Sequence, residues 1–180
     1  MINIEELLKP ETELERQIMK DPEFIEGANW GKSRNGHPEG KVAYHIAEVL
    51  SNVEKYSDQF NRRDLRLIAI IHDTFKHKVD QSKPKVGANH HAMIARKFAE
   101  KFSIDKDVLD VIELHDEAYN AWSMGDRNSN WKGAERRLEQ LLQRLNDQDY
   151  HLYETFYKCD NETGNKTQES FEWFCKYVGC

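Results

Sequence analysis

Four histidines and two aspartates of this 180-residue chain could share one task. They are His45, His72, Asp73, His90, His115 and Asp160, spread along the chain rather than clustered in one motif. A helical bundle builds a metal site this way, each helix presenting one imidazole or carboxylate to the core. Imidazole and carboxylate together suit Zn, Fe, Mn or Ni, whereas carboxylate and water alone suit Mg better. A divalent ion lowers the pKa of its bound water towards about 7 and polarises a phosphoryl oxygen. The His72-Asp73 pair follows the apolar run 67–71 directly. A charged pair at the edge of a buried run needs a partner, and a cation would supply it.

The elements that must carry these residues have mostly helical spacing. Ile4, Leu7 and Leu8 start a short amphipathic segment, and Leu14, Ile18 and Met19 a second that stops near Asp21-Pro22. Residues 27–40 are glycine-rich and read as an irregular loop. Val42, Ile46, Val49, Leu50 and Val53 recur at helical spacing, and a denser apolar helix around Leu65–Ile71 ends near His72. Residues 78–89 form a polar loop, and Ala92 to Phe102 a helix. Ser103 is the expected N-cap of a helix from Asp105 to Tyr119. Residues 123–131 read as another loop, Leu138 to Leu145 as a helix, Leu152 to Tyr157 as its successor after a break, and Thr167 to Tyr177 as a C-terminal aromatic helix. With no strand pair and no repeat, the fold class is all-α. Residues 1–26 are expected to pack as a helical segment on a single domain over 27–180, whose core is 37–160.

The length fits one domain, and a chain of this size buries enough surface to need no disulfide or structural metal. With 26 basic and 32 acidic residues the net charge is −6, and mean hydropathy is −0.86. A coat for long nucleic acid would normally be basic, so it is not expected. No run of about 18 apolar residues exists to span a membrane. The first ten residues lack a basic start followed by an apolar run, so no secretory leader is expected. Cys159, Cys175 and Cys180 are odd in number and have no CxxC spacing. Reduced thiols and a cytoplasmic location are the expectation.

The order His45, His72-Asp73, His90, His115, Asp160 resembles the HD-domain metallohydrolase superfamily over roughly residues 37–160. The resemblance implies an HD-type helical bundle in which His45, His72, Asp73 and Asp160 are the basic ligands. His90 and His115 match two extra positions of dinuclear members, with Asp73 as the bridge. One or two divalent ions are then the cofactor, drawn from Mn, Fe, Ni, Co, Zn or Mg. His37-Pro38-Glu39 resembles a stretch in the HD domains of bacterial tRNA nucleotidyltransferases. His72-Asp73-Thr74-Phe75-Lys76 matches an HDxxK form whose lysine contacts phosphate, with Phe75 in place of the usual glycine. Asn89-His90-His91-Ala92 resembles an Asn-His-Glu-Ala form, and Ala95 at a small-residue position favours His90 over His91 as ligand.

The implied activity is a phosphohydrolase acting on a small phosphorylated substrate, a nucleotide first among the candidates. Lys76 would offset charge on the phosphate, joined by Lys83 from the lysine-rich loop. His37 or His91 would give a proton to the leaving group. The alternative is a di-iron oxygenase of the same superfamily acting on a small organic substrate. A homo-oligomer is compatible with the chain, and neither a membrane nor a long nucleic acid is an expected partner. Beside these stand plainer readings. Asp116 reads as a supporting or exposed carboxylate, His151 as a surface residue, and Tyr119, Trp122 and Trp131 as core aromatics.

Overall fold

Residues 2–33 and 38–180 are described by a computed structural model. Every regular element among them is helical, and none is long and apolar enough to cross a membrane. The chain begins with three short helices: α1 (Ile4–Leu8), α2 (Glu13–Lys20) and α3 (Pro22–Ala28). Each has a side-chain N-cap, from Asn3, Thr12 and Asp21, and Pro22 starts α3 where its missing N–H costs nothing. α3 therefore runs across residue 26, where the sequence suggests a boundary.

α4 (Val42–Tyr56) and α5 (Arg62–Ile71) form the centre. α5 is buried at every residue from Leu65 to Ile71, so it needs neighbours on all sides. It packs on α4, on α7 (Lys106–Leu114) and on α10 (Asp147–Asn161). Arg66 lies inside that buried run and would be costly alone. Glu15 of α2 accepts from its Nε and Nη2 at 2.9 and 3.0 Å, and the Lys9 carbonyl from Nη2 at 3.2 Å. The N-terminal helices thus neutralise a charge in the centre of the bundle. Gly27 of α3 sits so close to the chain after α5 that a Cβ there would lie 1.9 Å from the Thr74 carbonyl oxygen.

α6 (His91–Ala99) pairs with α7, and α8 (Glu117–Asn128) forms a tight hairpin with α9 (Trp131–Arg144). α11 (Glu169–Val178) closes against α8 and α10. Four expectations need correction. Ser103 does not cap α7; it closes the turn after α6 at φ 52°, and Asp105 is the N-cap residue. The helix expected to reach Tyr119 instead stops at Leu114 and restarts at Glu117. The expected loop at 123–131 is helical to Asn128, because Gly125 serves packing rather than a turn. A Cβ on it would meet the Trp131 ring at 2.2 Å. Cys175 and Cys180 are paired in a disulfide across the last turn, where three reduced thiols are the sequence expectation. Cys159 is free and buried.

Candidate metal centre

Two packed helices, α5 and α7, end in the same dipeptide, His-Asp. His72 and His115 are the C-cap residues, and each turns its Nδ1 back to the carbonyl three residues earlier. The contacts are 3.0 Å to Ala69 and 2.8 Å to Ile112. A neutral imidazole that donates through Nδ1 keeps its lone pair on Nε2, and both Nε2 atoms face the interior. His45, buried on α4, points its Nε2 at His72 Nε2, 3.2 Å away. His91, the first residue of α6, points its Nε2 at His115 Nε2, 3.3 Å away.

The carboxylates stand between these pairs. Asp73 Oδ2 lies 3.5 Å from His45 Nε2 and 3.6 Å from His72 Nε2. Its Oδ1 lies 3.4 Å from His91 Nε2 and 3.5 Å from His115 Nε2. Asp160, near the end of α10, brings Oδ1 to 3.0 Å from His45 Nε2. Asp116 brings Oδ2 to 3.2 Å from His91 and Oδ1 to 3.3 Å from His115. Three sets of potential ligand atoms each fall within 4.8 Å: His45–His72–Asp73, Asp73–His91–His115 and His90–His91–Asp116.

These residues fit divalent cations. Two nitrogens bound about 2.1 Å from one ion, about 90–110° apart, are separated by about 3.0–3.4 Å, which is how both histidine pairs stand. Asp73 Oδ1 is buried without a hydrogen-bond partner beside His91 and His115, which suits a cation ligand. The mixed imidazole and carboxylate donors suit a transition metal.

The electrostatics agree with ionised carboxylates. Burial pushes Asp73 up, but Lys76 and His72 outweigh it and hold the group well below the usual range. Asp160 is likewise held well below by Lys166 and His45 against burial. Burial drives His72 down to about 3, keeping it neutral and able to ligate. Burial also opposes the charge on His91, yet Asp116 and Asp73 prevail and raise it to about 9.

The structure brings His45, His72, Asp73, His91, His115, Asp116 and Asp160 together. His90, favoured as ligand in the sequence, stands at the rim instead. It is the N-cap of α6, its Nδ1 accepts the Ala92 N–H at 3.3 Å, and its ring centroid lies 4.5 Å from that of His91. Its Nε2 reaches only Asp116, at 3.8 Å. Lys76 is ion-paired with Asp73 Oδ2. Lys83 is not brought in: it is an exposed residue paired with Asp80 at 3.0 Å, on a loop pinned by Asn89. His37 lies outside the described residues. Asp116, expected as a supporting or exposed carboxylate, stands beside the His91–His115 pair, and Lys166, without a sequence expectation, pairs with Asp160. The repeated His-Asp after an apolar helix was the available signal for Asp116; nothing local in the sequence marks Lys166.

Two cavities open from this centre and share Asp73 and Lys76. One lies against Trp30 and Glu39, the other along α8. A family model described as the HD domain matches residues 42–151, which hold every clustered residue except Asp160. No curated protein and no solved structure matches the chain at a significant level.

Proposed function

The chain belongs to the HD-domain family, and on that premise we propose that it is a metal-dependent phosphohydrolase. Its substrate is a phosphate ester of a nucleotide or another small phosphorylated metabolite. The observation that carries this reading is the pair of histidine sites sharing Asp73, with the Lys76 ammonium on the same carboxylate. In the proposed site His45, His72, Asp73 and Asp160 would hold one divalent ion, and Asp73, His91, His115 and Asp116 would hold a second. Such ions would supply an activated water and polarise the phosphoryl group.

The chain's own groups do the rest. His72 and His115 are fixed in the ligating tautomer by Ala69 and Ile112. Lys76 keeps its proton, because Asp73 and Asp116 raise its pKa against the effect of burial. Its charge therefore stays available to offset the phosphate as the ester bond breaks. His91 acts here as a ligand, not as the proton donor to the leaving group.

Metal analysis of the purified protein with a panel of phosphomonoesters and phosphodiesters tests the reading. Hydrolysis of at least one class, abolished by chelation and restored by metal, is expected. A metal-loaded protein inactive on the whole panel would count against it. Oxygen consumption with an organic substrate would instead favour the oxygenase alternative, which turnover under nitrogen excludes.

A further inference from the structure

The cavity along α8 encloses about 640 Å³, within the roughly 300–1,000 Å³ of small-molecule sites. Its wall contains features the metal centre does not use. The first is Lys166, whose Nζ donates to the Asp160 carbonyl at 2.8 Å and to Oδ1 at 3.0 Å. Its turn is rigidly held. The buried Asn161 donates to Gln168 Oε1 at 2.8 Å and accepts from Ser170 Oγ at 2.9 Å, while the Gly164 N–H reaches Glu48 at 2.8 Å. Lys166 and Lys76 therefore stand over the two carboxylates at the metal end, each able to exchange a carboxylate oxygen for a phosphoryl one.

The second feature is an aromatic wall further out. Tyr119 and Trp122 line the cavity with ring centroids 5.9 Å apart and are not core residues, as the sequence implied; Tyr119 is 37% exposed. Arg127 donates to the Tyr119 hydroxyl at 3.1 Å, beside Asp126 of opposite charge. Ten helical residues separate Asp126 from Asp116, about 15 Å at 1.5 Å per residue. The cavity's two lysines thus stand at the metal end beside Asp73, Asp116 and Asp160, and the outer end is aromatic, with Asp126 and Arg127 of opposite charge.

We propose that this cavity holds a nucleoside monophosphate, with Lys166 joining Lys76 on its single phosphoryl group and the Tyr119–Trp122 wall stacking on its base. This rests on the hydrolase reading and narrows it. One phosphoryl is matched by the two lysines at the metal end; a polyphosphate would run out towards Asp126. A planar base suits exposed ring faces, and the amides of Asn120 and Asn165 in the same wall offer both donor and acceptor to its edge.

Calorimetry on the protein as purified tests it, using phosphonates in which a methylene replaces the ester oxygen, so that no turnover occurs. The probes are the phosphonates of adenosine 5′-monophosphate and of ribose 5-phosphate. The adenosine compound should bind on the order of tenfold tighter, the usual yield of one stacked base. Trp122→Leu should remove that preference and Trp122→Phe keep most of it, with melting curves confirming that both fold. Lys166→Met should weaken both probes to a similar extent, and Lys166→Arg should restore them. Equal binding of the two probes, or an unchanged preference in Trp122→Leu, would overturn the proposal and leave the hydrolase reading standing. Absence of binding together with no hydrolysis of any phosphoester would overturn both.

Discussion

Replacing Asp73 with asparagine should empty both metal positions, whereas His45→Ala or His91→Ala should empty one each. Asp73 is the only side chain among the described residues to stand within 3.6 Å of both histidine pairs, through its two oxygens. Asp160 serves only the His45–His72 pair, and Asp116 only the His91–His115 pair. A ligand at a hundred times its Kd stabilises the native state by about 2.7 kcal/mol. In a chain of this length about 1 kcal/mol moves the melting temperature by about 2–4 °C, so each ion should carry about 5–11 °C. The assay is elemental analysis after gel filtration, paired with melting curves with and without chelator. The wild type should carry two equivalents, the two histidine variants one, and Asp73→Asn none. The melting curve of Asp73→Asn should then ignore the chelator. His90→Ala should keep both equivalents. An Asp73→Asn protein with two equivalents would refute the shared-carboxylate argument. So would a His90→Ala protein that loses an ion while His91→Ala keeps both.

Three further outcomes follow from the packing and charges. Gly27→Ala forces a methyl against the Thr74 carbonyl, and overpacking of this kind costs about 1–3 kcal/mol; urea unfolding and metal content should both fall, since Asp73 is the adjacent residue. Arg66→Met strands the carboxylate of Glu15, which is 1% exposed, at a cost of about 3–5 kcal/mol, whereas the Glu15→Leu/Arg66→Met double variant should recover most of it; a double variant as unstable as the single would contradict this. In the metal-free protein His91 is raised to about 9, so its charge adds stability that is full below the unfolded value near 6.5 and lost as pH rises through about 9. Metal must displace that proton. Calorimetry at pH 7 in buffers of different ionisation enthalpy should therefore report proton release, and none would count against His91 as a ligand.

The helical class and the His72-Asp73 corner were legible because α5 is apolar up to the residue where charge begins, and a buried helix must place that charge somewhere. His90 and His91 were not separable from sequence alone. Neighbours on a helix differ by about 100°, so the two point differently, and which one points further inward depends on where the helix starts. The start is set by His90 itself, at φ −88° and ψ 135°. Asp116 reads as only supporting or exposed because the segment before it is less apolar than the one before His72-Asp73, and the break after Leu114 that turns the second His-Asp inward has no local signal. Gly125 looked like a turn residue; only the facing Trp131 reveals why it is glycine in a helix. Lys166 depends on a turn built by Asn161, Gly164 and Ser170, a long-range arrangement without local pattern.

The bond between Glu15 and Arg66 also bears on how much chain the chemistry requires. The family match spans 42–151, yet three supports lie outside it. Glu15 neutralises a charge inside α5, Gly27 accommodates the backbone beside Asp73, and Asp160 completes the ligand set from beyond the match. A piece trimmed to the matched region would lose the buried carboxylate that pairs with Arg66, leaving it Glu54 at 3.4 Å, and would carry an incomplete centre. The transplantable unit is therefore larger than the recognisable one. A fusion or graft that preserves the chemistry must take the N-terminal helices and the end of α10 with it.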